Sequence, residues 1–189
     1  PDPFHDAQRA VRWLRTNAGR LGIDPEAIVS YGHSAGGHLA ALLAVRDDAS
    51  DPGAPSSRVN GCVAIAEHMD LHIPYDDAFA RSSMNALLDG DPDAVPDRAT
   101  DASPIAWVDA ASSPFLLLHG AADHQVSPRH HQTMATALQA AGVAVTVVTV
   151  PAADHFTIAA WECAGPWALA FVDTVAAHAT NQRHPEDAP

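Results

Sequence analysis

Apolar residues recur along the chain at two spacings, and the spacing separates predicted helices from predicted strands. Steps of three and four residues are typical of helices, and they occur over residues 6–21, 35–45 and 76–88. A further helix is predicted between Ser127-Pro128, a typical helix start, and Gly142, a typical helix end. Short, mainly apolar runs are typical of buried strands, and they cover residues 27–31, 59–66, 115–119 and 143–150.

Buried strands that alternate with helices predict an α/β fold, a mostly parallel sheet with helices on both faces. Aromatic residues from Trp161 onward predict closing helices that are interrupted at Gly165-Pro166. We therefore expect one domain over residues 1–180 and a polar tail over residues 181–189.

Residues 71–104 interrupt the alternation of strands and helices. Within this segment, residues 90–103 are rich in Asp and Pro and are predicted to be irregular. The segment has the size of a cap inserted over a site, and we expect Phe79, Met84 and Leu87 to face an acyl pocket there. The alternative is that these three side chains only pack on the sheet.

Composition and charge narrow the range of functions. The 189 residues include no Lys and carry a formal net charge of −13, which disfavours nucleic acid as a partner. The absence of Lys also excludes a Schiff-base lysine and a phosphate-loop lysine. No apolar run approaches the roughly 20 residues of a membrane span. Cys62 and Cys163 lie in no recognisable motif and are expected to be inert.

The sequence Gly32-His33-Ser34-Ala35-Gly36 has the pattern G-x-S-x-G and stands between a predicted strand and a predicted helix. In that context the pattern predicts a nucleophile elbow, a sharp turn that lifts the serine hydroxyl above the sheet. We expect Gly32 and Gly36 to be required because the chain passes too closely for side chains. The turn also directs the Ala35 N–H toward a developing oxyanion.

A nucleophilic serine needs a base and an acid that orients the base. Asp123 follows the strand at 115–119 and His155 follows the strand at 143–150, so both lie at the end of the sheet that carries Ser34. Glu67 and Asp70, which follow the second strand, are rival acids. Asp154 adjoins His155 and is expected to be a loop residue.

The other histidines are alternatives to His155 or candidate metal ligands. His124 is expected to be exposed, and His130 and His131 to be solvated on a helix. His33 and His38 flank the nucleophile; His38 is expected to pack or to form a hydrogen bond, and His119 to be structural. No pair has the spacing of a zinc protease, so we predict no metal site.

These residues resemble the α/β-hydrolase superfamily in its esterase/lipase branch. The resemblance is strongest to the feruloyl-esterase-like and carboxylesterase group related to hormone-sensitive lipase. Relatives of hormone-sensitive lipase usually have Asp at the position where this chain has His33. It also extends to kynurenine formamidase-like enzymes, through Gly-His-Ser-Ala-Gly and Asp154-His155-Phe156. The matching segments are residues 10–14, Gly22-Ile23-Asp24-Pro25, residues 32–40, Ser103-Pro104-Ile105, residues 114–120, Asp123, residues 140–143 and His155.

The resemblance implies a serine hydrolase that cleaves small-molecule carboxylic esters with Ser34, His155 and Asp123, without a cofactor. It also implies preceding strands and a His-Gly-Gly loop that supplies a second oxyanion donor. Because nothing before Asp6 can hold that loop, we expect an N-terminally incomplete fold with an exposed edge beside the nucleophile strand. The chain that starts at Pro1 is then expected to aggregate, or to self-associate through that edge, with little or no esterase activity. The alternative functions are arylformamidase activity and an impaired fragment that acts as a binding domain. The sequence leaves the cellular compartment of the protein open, with the cytoplasm favoured.

Overall fold

A computed structural model describes residues 3–47, 53–75 and 78–183. Its centre is a four-stranded parallel sheet in the order β1-β2-β3-β4. The strands are β1 (Val29–His33), β2 (Gly61–Ile65), β3 (Phe115–Gly120) and β4 (Val145–Val150). The inner strands β2 and β3 are buried along their whole length because their side chains are apolar on both faces.

Helices cover both faces of this sheet, as the sequence predicts. They are α1 (Pro3–Thr16), α2 (Ala18–Leu21), α3 (Ala35–Val45), α4 (Ala78–Leu88), α5 (Pro96–Ala102), α6 (Arg129–Ala140) and α7 (Trp161–Arg183), with short 3₁₀ turns at Pro104–Trp107 and Thr157–Ala159. Alternate residues of the inner strands point to opposite faces. Ala64 and Leu117 join a core with α1, α3 and α6, whereas Ile65 and Leu118 join a second core with α7.

Several element boundaries agree with the sequence prediction. Helix α3 spans the predicted residues, and Gly22 ends α2 in the left-handed conformation at φ 67°. The predicted helix over 6–21 divides into α1 and α2. The predicted loop 47–57 and the start of the predicted helix 76–88 fall partly outside the described residues, as do residues 184–189 of the predicted tail.

Two predictions about helices are wrong. Residues 90–103 are not irregular throughout, because α5 starts at Pro96 and buries Ala99 against Leu71 and Leu88. The chain is not interrupted at Gly165-Pro166, because α7 runs through it. Pro166 lies on the exposed side of α7, where the hydrogen bond that its ring removes can be replaced by water.

The segment 71–104 forms its own small apolar cluster. Met84 packs on this cluster, whereas the Phe79 side chain is 74% exposed and Leu87 is 48% exposed. A cap over a site remains a prediction, and so does self-association through β1, which has one hydrogen-bonded neighbour among the described strands.

Candidate active site

Ser34 occupies a sharp turn between β1 and α3. Its backbone has φ 55° and ψ −122°, a left-handed conformation that is unfavourable for any residue except glycine. The Ser34 N–H donates a 2.8 Å hydrogen bond to the Ile65 carbonyl at the end of β2, and its own carbonyl accepts from the His38 N–H. Bonds on both sides thus hold the strained turn that presents the hydroxyl.

Close chain passage explains one of the two predicted glycines. A Cβ on Gly32 would lie 2.2 Å from the Gly36 carbonyl oxygen, so no side chain fits there. The prediction for Gly36 is wrong, because a Cβ at that position would meet nothing within 4 Å. The second crowded glycine near Ser34 is Gly37, whose Cβ would lie 3.0 Å from the Cβ of Glu67.

The structure brings Ser34, His155 and Asp123 into one hydrogen-bonded row. His155 Nε2 accepts from the Ser34 hydroxyl at 3.1 Å, and His155 Nδ1 donates to Asp123 Oδ2 at 2.9 Å. A single neutral tautomer, with the proton on Nδ1, satisfies both bonds. In this arrangement His155 can take the proton of Ser34 while Asp123 holds the imidazole ring in place.

Asp123 is kept ionised by its loop. Burial by itself raises the pKa of this carboxyl, but hydrogen bonds from His155 and from the Val126 and Gln125 N–H groups outweigh burial and lower the pKa to about 2. The two backbone bonds, 2.9 and 2.8 Å long, both go to Oδ1 and leave Oδ2 for His155. The acid therefore remains negative across the neutral pH range.

Helix α3 begins at Ala35, directly after the nucleophile. The first N–H groups of a helix have no partner within the helix, and the helix dipole makes this end positive. The Ala35 N–H is the first of these groups after Ser34, and it stays the predicted donor to a negative oxygen formed by attack of Ser34.

The rival acids contact other groups. Glu67 is fully buried, and its Oε1 lies 2.8 Å from His131 Nε2. This approach lacks hydrogen-bond alignment, so neither Glu67 oxygen has an aligned donor among the described residues. Asp70 accepts from the His72 N–H. Asp154 accepts from the Phe156 and Thr157 N–H groups and so closes the turn that contains His155, as expected for a loop residue.

Five of the other histidines are buried beside the site: His38, His68, His119, His130 and His131. The expectation that His130 and His131 are solvated is wrong, because α6 turns both of them inward, with 1% and 2% exposed. His130 Nδ1 accepts from the Met69 and Asp70 N–H groups, at 3.3 and 3.4 Å. Burial, together with neighbouring histidines, lowers the pKa of His130 to about 3 and that of His68 to about 4.

Three other expectations about histidines agree with the structure. His38 Nδ1 donates to the His68 carbonyl, His119 Nε2 donates to the Val126 carbonyl, and His124 is exposed. Sequence reasoning missed the link of His33 to the His155 loop, where His33 Nε2 donates to the His155 carbonyl at 2.7 Å. The adjacency of His33 to Ser34 was the available signal, but no local pattern indicates the distant loop that it contacts.

No cluster of three metal-binding side chains occurs among the described residues. In the same part of the chain, no helix is long and apolar enough to cross a membrane.

Comparison with known proteins places the chain in a family. The BD-FAE family model matches residues 1–138. Esterase LipQ of Mycobacterium tuberculosis is 34% identical over 175 residues, which are 84% of this chain and 40% of LipQ. Esterase LipC of the same organism is 30% identical over 164 residues, which are 82% of this chain and 41% of LipC.

Solved structures show the same similarity. A truncated form of a carbohydrate esterase from gut microbiota superposes with a TM-score of 0.78 at 25% identity, covering 95% of this chain and 69% of that one. Thermogutta terrifontis esterase 2, phosphoramylated by tabun, superposes with a TM-score of 0.72 at 26% identity, covering 91% and 64%. The chain thus spans about 40% of the curated relatives and about two thirds of these solved chains.

A parallel sheet with helices on both faces and a serine at the turn after β1 defines an α/β-hydrolase of the esterase/lipase branch. Within that branch, the chain belongs to the BD-FAE family.

Proposed function

We propose that this protein hydrolyses small-molecule carboxylic esters through an acyl-enzyme formed on Ser34. The observation that carries the proposal is the row of two hydrogen bonds from Ser34 through His155 to Asp123. The names of the relatives support it, since LipQ and LipC are both called esterases.

The first half of the reaction forms the acyl-enzyme. His155 Nε2 takes the hydroxyl proton as Ser34 Oγ attacks the ester carbonyl carbon, and the carbonyl oxygen becomes negative. The Ala35 N–H binds this oxyanion, and ionised Asp123 stabilises the imidazolium form of His155. The tetrahedral intermediate collapses when His155 gives its proton to the leaving alkoxide oxygen, which departs as an alcohol.

The second half regenerates the serine. His155 takes a proton from water, whose oxygen attacks the acyl carbon, and then returns the proton to Ser34 Oγ as the acid leaves. Every proton transfer in both halves passes through His155 Nε2, so the 3.1 Å contact with Ser34 Oγ is used twice.

The test is hydrolysis of a short aryl ester by the protein as its gene encodes it. Ser34→Ala and His155→Ala should each lower kcat by about 10⁶-fold. Ser82→Ala, which removes the hydroxyl of an exposed serine on α4, is the matched control and should keep wild-type kcat. Full activity of Ser34→Ala would refute the proposal, and faster turnover of an N-formyl aromatic amine than of the ester would assign amide hydrolysis instead.

A further inference from the structure

We infer that His33 is a positioning residue that fixes the main chain of His155 against the nucleophile turn. The inference rests on the proposed function, because it concerns the placement of the base in that reaction. Its structural basis is the 2.7 Å hydrogen bond from His33 Nε2 to the His155 carbonyl oxygen. A carbonyl oxygen can only accept, so the bond requires the His33 proton to be on Nε2.

The sheet order requires the loop that carries His155 to reach far. Ser34 follows β1 and His155 follows β4, and these strands lie at opposite edges of the four-stranded sheet. Neighbouring strands are about 4.8 Å apart, so the loop after β4 must reach across two strands to bring its imidazole to Ser34. A loop that extends so far needs an anchor near its far end if the imidazole is to hold a fixed distance.

The nearer part of this loop is anchored on β3. The Ala122 N–H donates to the Ala153 carbonyl at 2.9 Å. At Gly120 the chains pass so closely that a Cβ would lie 2.3 Å from the same carbonyl oxygen. These main-chain contacts lie before His155 on the β3 side, and the bond from His33 supplies the anchor on the β1 side.

Ring packing adds to the hydrogen bond. The centroids of the His33 and His155 rings lie 4.7 Å apart, and the ring planes are inclined at 49°. The Phe156 ring meets the His155 ring edge-on, with 5.4 Å between the centroids. The His155 ring therefore has an aromatic neighbour in both His33 and Phe156. His33 directly precedes Ser34 in the sequence. Its side-chain contacts with His155 therefore link the base to the main chain of the nucleophile turn.

The charge state of His33 affects the reaction as well. Burial is the largest effect on His33 and lowers its pKa, as does the charge of His155. The hydrogen bond to His155 and the charges of Asp123 and Glu67 raise the pKa, but it stays below its ordinary value. His33 is thus neutral at neutral pH, which suits its place beside a ring that becomes positive during catalysis. Protonation of His33 in acid would oppose formation of the His155 imidazolium.

Two substitutions of similar size separate this role from simple space filling. In Gln the amide nitrogen can occupy the place of Nε2 and donate to the His155 carbonyl, whereas the shorter Asn side chain reaches only the place of Nδ1. Neither residue titrates. His33→Gln should therefore keep the anchor, while His33→Asn and His33→Phe should lose it.

The experiment measures kcat, KM and the pH profile of short aryl ester hydrolysis for wild type and the three His33 variants, using the protein as its gene encodes it. We expect His33→Asn and His33→Phe to lose roughly tenfold in kcat with KM within about twofold, the size of one lost hydrogen bond. His33→Gln should keep kcat at pH 8 and lose the additional acid-side inflection that His33 causes in wild type. Thermal melting of each variant checks that the proteins compared are folded.

Three results would overturn the inference, and they have different meanings. If Ser34→Ala is inactive but His33→Asn keeps wild-type kcat, the anchoring role is wrong and the proposed function stands. If Ser34→Ala hydrolyses the ester as fast as wild type, the proposed function is wrong and the inference falls with it. Equal losses in His33→Gln and His33→Asn would also contradict anchoring through Nε2.

Discussion

His155 Nε2 lies 3.1 Å from Ser34 Oγ although the two residues follow strands at opposite edges of the sheet. The contact joins parts of the chain that are 121 residues apart, and it depends on the parallel arrangement of all four strands. Parallel strands bring their carboxyl ends to one edge, where loops from β1, β3 and β4 can meet. The candidate site is therefore a consequence of the topology more than of any single motif.

The acid of the proposed triad can be tested with two neighbouring positions. Asp123→Asn should lower kcat about 10⁴-fold, because the amide no longer favours the tautomer with the proton on Nδ1. Asp154→Asn is the matched control and should keep kcat near wild type, since Asp154 contacts its own turn. If Asp123→Asn is near wild type while Glu67→Gln is inactive, the acid follows β2 and the assignment is wrong.

The glycines of the elbow give a prediction about folding. Gly32→Ala should prevent the native turn, because its Cβ would lie 2.2 Å from the Gly36 carbonyl oxygen. Gly36→Ala should fold and be as stable as wild type or more so by up to about 1 kcal/mol, because its Cβ meets open space and Ala favours a helix. Soluble yield and urea unfolding measure both effects. A folded, active Gly32→Ala protein would show that the turn is not as crowded as described.

The buried His130 predicts a loss of stability in acid. Its pKa is about 3 in the folded protein, lowered by burial and by neighbouring histidines, and an unfolded histidine titrates near 6.5. Below pH 6.5 the unfolded chain binds a proton that the folded chain does not, so stability falls as the pH decreases. One such group lowers the free energy of unfolding by about 2 kcal/mol between pH 6.5 and pH 5.

His130→Asn tests this cause. The Asn carbonyl can accept the Met69 and Asp70 N–H bonds in place of Nδ1 without titrating. The difference in free energy of unfolding between pH 7 and pH 5 should therefore be about 2 kcal/mol smaller than in wild type. His124→Asn, at an exposed position, should keep the wild-type difference. Identical pH dependence in His130→Asn and wild type would contradict the prediction.

Glu67 and His131 are expected to depend on each other for stability. Both are buried and 2.8 Å apart, and removing one partner leaves the other in the interior without its counterpart. Glu67→Met and His131→Leu should each lower the free energy of unfolding by about 3–5 kcal/mol. The double variant should lose at least about 1 kcal/mol less than the two single losses together. Purely additive losses would show that the pair does not interact.

The sequence allowed more of the fold than of the contacts to be predicted. Helix α3 and strand β3 could be predicted closely because their apolar patterns are continuous and their ends are marked by Ser34 and Gly120. Helix α5 was missed because its Asp and Pro content suggests a loop, although Pro96 at its first position is a typical helix start. Its helical form depends on packing of Ala99, which a local pattern does not show.

The candidate site shows the same division. Ser34, Asp123 and His155 could be predicted because each follows a recognisable strand, and parallel topology then brings them together. The burial of His130 and His131 could not be predicted, because it depends on how α6 packs on the turn after β2. The bond from His33 to His155 depends likewise on the path of the loop after β4, which no repeat or spacing encodes.

The central claim, that Ser34 is a nucleophile activated by His155, is tested most directly by labelling with a fluorophosphonate and locating the label by peptide mass spectrometry. We expect one label per chain, on the peptide that contains Ser34. We also expect no labelling of Ser34→Ala and greatly slowed labelling of His155→Ala. A label on another serine, or equal labelling of Ser34→Ala and wild type, would show that Ser34 is not the activated nucleophile.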